Sequence, residues 1–350
     1  LVNRSQQLAT IQALQTSNAT VIRVPSSATQ VQPKAIRSGL TGLVLGVLLG
    51  LGLAFLWEAL DTRVRTADEI EERLGLPLLA RLSEPSKKLS RADRPVMLAE
   101  PASAQAEAFQ MLRTNLELAC LDRDMRTIMM TSCVDEEGKS TTIANLALAL
   151  ARNGQRIALV DFDLRRPALH RFFNIPSTMP GVTQVAIGVA SLTDALIPIP
   201  LHEDSPRANG QRLDRGALEA PRTSGEQGSL HLLSAGHAPP NPAEFVGSIA
   251  VARILLQLQT QFDRVIIDAP PALRVADAMT LSSKVDGLVV VTRMNVIRRP
   301  MLAELRRLLD AVPAAKLGFI VTGVAVEEGY GVGYGFGHGY SYAQGLAKVE

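Results

Sequence analysis

Hydrophobic residues between positions 100 and 324 fall into short continuous runs that are separated by longer amphipathic stretches. The runs are rich in β-branched residues, which is typical of buried strands, and the stretches between them have helical character. The runs are RTIMMTS (126–132), RIALVDFD (156–163), DRVIIDAPP (263–271), GLVVVTRM (287–294) and KLGFIVTGV (316–324). Because buried strands that alternate with helices form parallel sheets covered on both faces, we predict an α/β fold with a mostly parallel sheet.

A longer apolar run, GLTGLVLGVLLGLGLAFLW (39–57), contains no charged residue. Its helical length of about 28 Å matches the hydrocarbon core of a bilayer, so we predict one transmembrane helix over residues 39–58. The alternatives are a signal peptide, for which the run is long and starts far into the chain, and a buried helix of a soluble domain. Lysine and arginine number four before the run and eight between residues 63 and 94. This bias favours a cytoplasmic location for the C-terminal side.

Charge and cysteine content exclude some classes of function. The 350 residues carry a net charge of +2, which is too small for a general nucleic-acid-binding surface, so we predict no nucleic-acid partner. Cys120 and Cys133 have neither the spacing of metal ligands nor that of a disulfide framework. We expect both to be small fillers of the core or of a loop in a reducing compartment.

The sequence TSCVDEEGKST (131–141) lies between a predicted strand and a predicted amphipathic helix, which is the context of a phosphate-binding loop. Gly138 lets the backbone approach a phosphate, Lys139 supplies a positive charge, and the first amides of the helix donate to the anion. Ser140 would ligate Mg²⁺. Cys133 replaces the glycine that usually begins this loop. We expect the loop's acidic side chains (Asp135, Glu136 and Glu137) to face solvent.

Three aspartates follow two of the predicted strands. Asp161 and Asp163 end the run in LVDFDLRRP (159–167), and Asp268 ends the run in VIIDAPP (265–271). Alternation with Phe162 places Asp161 and Asp163 on one face of the strand end. Since open α/β sheets bind ligands at the carboxyl ends of their strands, we expect the three carboxylates near the phosphate-binding loop.

These segments resemble a known family. TSCVDEEGKSTT, ALVDFDLRRPALHRFF and VIIDAPPALRVADAMTL look like the Walker A, Walker A′ and Walker B regions of the bacterial tyrosine kinases (BY-kinases) that act with exopolysaccharide and capsule assembly systems. LSAGHAPPNPAEF (233–245) resembles that family's loop before Walker B. Residues 21–79 are similar to the last periplasmic stretch, the second membrane helix and the start of the kinase in the fused polysaccharide co-polymerase members. The resemblance implies a fold like that of P-loop NTPases.

The resemblance also implies a domain order. Residues 1–38 would end a periplasmic chain-length-determinant region, and residues 59–100 would form a juxtamembrane segment and linker after the transmembrane helix. The P-loop tyrosine kinase domain would occupy residues 101–326, before a tail rich in glycine and tyrosine at residues 327–350. The chain begins without methionine, so we expect it to be the C-terminal part of a longer protein of the bacterial inner membrane with its kinase domain in the cytoplasm.

The resemblance assigns roles to individual residues, with ATP and Mg²⁺ as the cofactors. Catalysis would use Lys139, Asp161, Asp163 and Asp268, and either Asp161 or Asp163 would orient or deprotonate the phenol. Mg²⁺ would be held by Ser140, Asp161 and Asp268. The nucleotide would contact Glu137, Gly138, Lys139, Ser140, Thr141 and Arg165. The phosphate acceptors would be the four tyrosines of the chain, Tyr330, Tyr334, Tyr340 and Tyr342.

Partners follow from the same resemblance. Neighbouring subunits of a homo-oligomeric ring would phosphorylate one another's tails, and the ring would act with the polysaccharide polymerase and export machinery at the membrane, with a tyrosine phosphatase as a further candidate.

EAFQMLR (107–113) resembles the family's subunit contact, but Gln110 replaces its first arginine; the same segment also suits an amphipathic helix with Phe109 and Leu112 in the core. The polar stretch 202–228 is predicted to be a disordered loop.

Two other functions remain open from the sequence. One is a membrane ATPase switch of the MinD or ParA type without tyrosine kinase activity, which shares the P-loop and carboxylates but leaves the tyrosine tail unexplained. The other is a structural co-polymerase subunit with an inactive nucleotide domain, which Cys133 and the acidic loop would favour.

Overall fold

The structure is a computed structural model that describes residues 2–14, 35–86, 89–90, 93–121, 123–202 and 228–324. The chain divides into two compact units, residues 1–61 and 62–350. The four tail tyrosines and nearly all of the predicted loop at 202–228 lie outside the described residues.

The described residues of the first unit form two helices. Helix α1 is Val2–Leu14 and helix α2 is Ala35–Leu60. In α2, the most apolar 18-residue window within Ile36–Leu60 has a mean hydropathy of 2.3, and none of this window is buried against protein. Phe55 and Trp57 are 74% and 80% exposed. Helix α2 is therefore long and apolar enough to cross a membrane, and it contains the predicted span at 39–58.

An eight-stranded sheet organises the described residues of the second unit. Its strands are β1 (Leu78–Ser83), β2 (Thr127–Ser132), β3 (Arg156–Asp161), β4 (Leu196–Ile199), β5 (Ser229–Leu233), β6 (Arg264–Asp268), β7 (Gly287–Arg293) and β8 (Ala315–Val324). They lie in the order β1-β8-β7-β2-β6-β3-β5-β4. All neighbours are parallel except β4 and β5, which are antiparallel. The predicted α/β fold with a mostly parallel sheet is confirmed.

Helices cover both faces of this sheet. They are α3 (Ala67–Leu74), α4 (Val96–Ala99), α5 (Ala104–Ala119), α6 (Lys139–Arg152), α7 (Leu169–Phe172), α8 (Val182–Ala186), α9 (Leu192–Ala195), α10 (Pro242–Gly247), α11 (Ile249–Gln261), α12 (Asp277–Ser282) and α13 (Arg299–Ala311). Helices α4, α5 and α6 bury their apolar side chains in one core layer, and α3, α11, α12 and α13 bury theirs in the other.

The two core layers follow from strand alternation. In β2, Met129 enters one layer, whereas its neighbours Ile128 and Met130 enter the other. Successive side chains of a strand point to opposite faces, so a strand covered on both sides needs an unbroken apolar run. This requirement explains why the central strands are recognisable in the sequence as continuous hydrophobic segments.

Part of the segment predicted as a juxtamembrane linker belongs to the sheet. Strand β1 pairs in parallel with β8, and Leu79 and Leu82 are buried. Helix α3 packs against α13 and begins at Thr66, whose hydroxyl accepts a hydrogen bond from the Glu69 amide. Burial of these apolar positions ties the segment that follows residue 61 to the same core as the predicted kinase domain.

The sequence analysis did not identify strands β4 and β5. Strand β4 contains Pro198, which has no amide hydrogen to donate and is tolerated because β4 is an edge strand that pairs with β5 alone. Strand β5 is a short apolar segment directly after the long polar stretch. Strand β5 pairs in parallel with β3.

His231 of β5 gives the fold a dependence on pH. The ring is 7% exposed, packs edge-on against Phe262 with 5.2 Å between ring centroids, and its buried Nδ1 atom has no hydrogen-bond partner among the described residues. Burial lowers the pKa of His231 to about 4. As the pH falls below about 6.5, His231 binds a proton in the unfolded chain but stays neutral in the folded chain. The stability that the neutral, buried ring contributes is therefore present above pH 6.5 and is lost as the pH falls towards 4.

We therefore expect His231→Leu to gain stability relative to the parent as the pH is lowered from 6.5 to 4, by on the order of 3 kcal/mol in the free energy of unfolding. The measurement is urea unfolding of both proteins at a series of pH values. A difference between the two proteins that does not change with pH would contradict this assignment.

Candidate nucleotide-binding site

The loop between β2 and α6 has the backbone shape of a phosphate-binding loop. It leaves β2 after Ser132 and enters α6 at Lys139, with Gly138 at φ +84°. This left-handed conformation favours glycine at that position. Cys133, which replaces the usual first glycine, is fully buried and does not adopt a positive φ. Its backbone therefore has no need of a glycine, and its predicted role as a small filler is confirmed.

The acidic residues of the loop do not all face solvent. Glu136 is exposed, but Glu137 is only 1% exposed, so the expectation that all three would face solvent is wrong for Glu137. Glu137 Oε2 accepts a hydrogen bond from the Val134 amide at 2.8 Å, and Oε1 accepts one from the Arg293 amide at 3.2 Å. Burial raises the pKa of Glu137 to about 7, against the effect of these amide donors. The side chain stabilises the loop from inside.

Arg293, at the end of β7, holds the loop from outside. Its guanidinium donates to the Glu136 carbonyl at 3.1 Å and forms an ion pair with Glu84, just after β1. The Thr322 hydroxyl of β8 donates to the Glu137 carbonyl at 2.7 Å. Residues from β1, β7 and β8 thus fix the conformation of a loop that leaves β2.

Lys139 and Ser140, the first residues of α6, face the end of β6. The Lys139 ammonium donates to Asp268 Oδ1, and the Ser140 hydroxyl donates to Asp268 Oδ2 at 2.7 Å. Lys139 Nζ also lies 3.6 Å from Asp163 Oδ2. The structure therefore brings together the predicted lysine, the predicted serine and the carboxylates of two adjacent strands.

Asp161 and Asp163 occupy different environments. Asp161, opposite Asp268 in the pairing of β3 with β6, is fully buried. Its carboxylate accepts hydrogen bonds from the amides of Asp163, Ala168 and Leu169 at 3.1 to 3.2 Å. Asp163 is 8% exposed, its Oδ2 faces Lys139, and its Oδ1 accepts a single amide hydrogen bond, from Arg166 at 3.0 Å. Asp161 therefore orders the turn after β3, while Asp163 keeps an oxygen towards the ammonium.

The charges in this cluster do not balance. Three carboxylates (Asp161, Asp163 and Asp268) surround one ammonium. Burial alone would lower the pKa of Lys139, but the charges of Asp268 and Asp163 outweigh it and raise that pKa. Burial, with the nearby charge of Asp268, raises the pKa of Asp161, and burial raises that of Asp163. The surplus of negative charge favours a bound cation.

The residues present fit Mg²⁺. Ser140 Oγ and Asp268 Oδ2 are adjacent hard oxygen donors at the start of a helix, and Mg²⁺ is usually bound by one or two such protein groups, several waters and the substrate phosphates. Within the described part of the chain, no group of three or more histidine, cysteine, aspartate or glutamate side chains is arranged to hold a metal ion alone.

A cavity of about 290 Å³ adjoins the other side of the loop. Its lining includes Phe109, Thr141, Thr142 and Arg293, with Glu84 at the β1 end. These residues come from α5, α6 and the ends of β7 and β1, whereas the carboxylates end β3 and β6. The phosphate-binding loop therefore lies between an anionic cluster and a partly apolar cavity.

Arg165, predicted to contact the nucleotide, is engaged elsewhere in this structure. Its guanidinium binds Asp277 through two hydrogen bonds, of 2.8 and 3.3 Å, and Asp277 is 2% exposed. The next residue, Arg166, lies 3.4 Å from Asp135 of the loop. Sequence reasoning missed Asp277 as a partner, although its position in the segment after Walker B was a signal that it lies near the site.

Comparison with known proteins places this geometry in context. Residues 128–328 match the CobQ/CobB/MinD/ParA nucleotide-binding domain. The chain is 34% identical over 235 residues to the tyrosine-protein kinase YwqD of Bacillus subtilis, covering 67% of this chain and 88% of YwqD. It is 28% identical over 302 residues to the tyrosine-protein kinase ptk of Acinetobacter johnsonii, covering 84% of this chain but only 38% of ptk. The chain thus spans less than half the length of this longer relative.

A solved structure of similar fold supports the sequence matches. The BceF tyrosine kinase domain superposes with a TM-score of 0.60 at 26% identity, over 75% of this chain and 100% of that domain.

The role of Glu137 leads to a prediction about nucleotide affinity. Glu137→Ala leaves two amides, Val134 and Arg293, without their buried acceptor, and a buried donor left unsatisfied costs about 1–3 kcal/mol. We expect about tenfold weaker binding of ATP, measured by titration with a fluorescent ATP analogue. Glu136→Ala is the matched control, because it removes an exposed carboxylate and leaves the carbonyl that binds Arg293. Equal affinities of the two variants would contradict the role given to Glu137.

Proposed function

The chain belongs to the bacterial tyrosine-protein kinase family, and we propose that it is a membrane-anchored autokinase that transfers the γ-phosphoryl group of ATP to its own C-terminal tyrosines. The observation that carries this proposal is the convergence of Lys139, Ser140, Asp163 and Asp268 beside a phosphate-binding loop. In such a site, Lys139 can bind phosphate, and Ser140 and Asp268 can supply oxygen ligands to Mg²⁺. The carboxylate of Asp163 then remains to accept a proton.

Binding of the nucleotide uses the groups on both sides of the loop. The amides at the start of α6 and the Lys139 ammonium receive the β- and γ-phosphates, and the cavity beside Thr141 and Arg293 receives the adenosine. Ser140 and Asp268 would hold Mg²⁺, which would supply positive charge to neutralise the phosphates. To reach the phosphates, Lys139 exchanges part of its contact with Asp268 for the nucleotide.

Transfer of the phosphoryl group needs an acceptor and a base. The tyrosine oxygen forms a bond to the γ-phosphorus as the bond from that phosphorus to the β–γ bridging oxygen breaks, and ADP leaves. The phenol proton passes to a carboxylate. Asp163 suits this role better than Asp161, because Asp161 is fully buried and accepts three amide hydrogen bonds. The raised pKa of Asp163 increases its affinity for the proton.

The acceptors are Tyr330, Tyr334, Tyr340 and Tyr342. They lie outside the described residues, and their assignment rests on the sequence, which contains no other tyrosine. Helix α2 would anchor the protein in the inner membrane with the enzyme domain in the cytoplasm, where ATP is available. Phosphorylation adds about −1.5 to −2 charge per tyrosine, which would separate tails within a ring of subunits and regulate polysaccharide polymerisation and export.

The first test is phosphopeptide mass spectrometry of the purified chain after incubation with Mg·ATP. We expect phosphate on residues 330–342 in the parent and at least about 100-fold less in Lys139→Met, because the variant lacks the cation that stabilises the transferred group. Lys284→Met is the matched control, since it makes the same substitution outside the site, and it should behave as the parent does.

Other outcomes select the alternatives. ATP hydrolysis by the parent with an unmodified tail would replace the autokinase with an ATPase switch. Neither hydrolysis nor phosphorylation would favour a structural subunit with an inactive nucleotide domain.

A second test separates the two aspartates of β3. We expect Asp163→Asn to bind ATP with little change but to lose at least about 100-fold in the rate of tail phosphorylation, because it removes the proton acceptor. Asp161→Asn should instead lower the free energy of unfolding, since it weakens the turn that its carboxylate orders. Rapid-quench phosphorylation assays and thermal unfolding measure the two effects. Full activity of Asp163→Asn would exclude this residue as the base.

A further inference from the structure

A second cavity, of about 300 Å³, lies at the carboxyl ends of β1 and β8. Its floor is formed by Ala67, Met294, Val321 and Val324, of which Val321 is fully buried. Its rim carries two arginines, Arg65 and Arg81. An apolar floor below a cationic rim fits a ligand that has a flat apolar body and a negatively charged end.

The charge at the rim is available for exchange. Arg81 Nη2 lies 3.3 Å from Asp68 Oδ1, and the side chains of Arg81 and Asp68 are 44% and 87% exposed. A surface pair of this kind stabilises a protein by only about 0–1 kcal/mol, so a dianion can replace the Asp68 carboxylate at little cost. Helix α3 begins at the same cavity with Thr66 and Ala67, and the start of a helix also favours an anion.

This cavity and the one beside the phosphate-binding loop lie on opposite faces of the sheet. Arg81 and Val321 line the cavity at the strand ends, whereas the adjacent residues Leu82 and Thr322 line the cavity beside the loop. Neighbouring residues of a strand point to opposite faces. A ligand in one cavity therefore leaves the other open.

The position of the cavity in the chain indicates its occupant. Val324, part of the floor, is the last residue of β8, and the C-terminal tail continues from it. Tyr330 follows six residues later, after Glu327 and Glu328, and six extended residues span at most about 20 Å. A segment attached to the rim of its own cavity is present at a high effective concentration, which a free anion in solution lacks.

We propose that this cavity binds phosphorylated Tyr330 of the chain's own tail. The tyrosine ring lies on Met294, Val321 and Val324, and the phosphate replaces Asp68 as the partner of Arg81. Glu327 and Glu328 add negative charge on the approach to the two arginines. Tail phosphorylation itself rests on the proposed function, but the binding site rests on the cavity. The phosphorylated tail is thereby held on the face of the sheet opposite the nucleotide.

The test uses the full chain in detergent with all four tail tyrosines replaced by phenylalanine, so that no tail competes. The probe is a fluorescein-labelled synthetic peptide of residues 325–336 with phosphate on Tyr330, and fluorescence anisotropy measures its affinity. We expect binding at least tenfold tighter than that of the unphosphorylated peptide. Arg81→Gln should weaken binding about tenfold, and Asp68→Asn should strengthen it, because that variant removes the competing carboxylate.

Arg307→Gln is the matched control, since Arg307 is 81% exposed and pairs with Glu304 on the outer surface of α13. Equal affinity for the two peptides, or an equal loss in Arg81→Gln and Arg307→Gln, would overturn the proposal. Displacement of the labelled peptide by phosphatidylglycerol in mixed micelles, at concentrations too low for unlabelled phosphopeptide to displace it, would also overturn the proposal. Because the peptide is synthetic, the two proposals fail separately. Peptide binding by a chain without autokinase activity would support the binding site and contradict the proposed function, whereas autophosphorylation without peptide binding would contradict the binding site only.

Discussion

The contact of Lys139 with Asp268, at the carboxyl edge of the sheet, is the interaction on which the site depends. A buried ammonium is stable there only because Asp268 and Asp163 surround it, and those carboxylates avoid mutual repulsion only because the ammonium is present. The cluster nevertheless keeps an excess of negative charge. In the proposed function, a nucleotide with its cation would change both sides of this balance together, because phosphate would attract Lys139 and the cation would take the place of the ammonium beside Asp268.

The loop that carries Lys139 is held by residues distant in sequence. The Glu137 side chain accepts a hydrogen bond from the Arg293 amide, and the Arg293 guanidinium forms an ion pair with Glu84. Glu84 lies more than fifty residues before Glu137, in the segment that follows residue 61. The conformation of the phosphate-binding loop therefore depends on strand β1 as well as on β7. A chain that lacked β1 would lose an edge strand and the residue that pairs with Arg293. The segment after residue 61 therefore supports the phosphate-binding loop.

The parts of this architecture that the sequence predicts are those with a local physical signature. The central strands appear as unbroken apolar runs because both of their faces are buried, and Gly138, Lys139 and Ser140 are recognisable because a strand precedes them and a helix follows. Glu137 was misjudged because its neighbours Asp135 and Glu136 are acidic too, and nothing local distinguishes the one that turns inward. Of its partners, Val134 lies three residues earlier in the same loop, whereas Arg293 reaches Glu137 only through the sheet order. Strand β4, with its proline, and the Arg165–Asp277 pair are likewise products of tertiary contacts.

The difference between Asp161 and Asp163 shows how a fold assigns separate roles to similar residues. Both follow β3, and the intervening Phe162 is buried on the opposite side. The turn after β3 brings the amides of Ala168 and Leu169 back onto Asp161 alone. Amide donors of this kind stabilise the carboxylate of Asp161 as an acceptor within the turn, whereas Oδ2 of Asp163 faces the Lys139 ammonium. In the proposed reaction, contact of Lys139 with phosphate would take this positive charge away from Asp163 and would raise the proton affinity of the carboxylate proposed as the base.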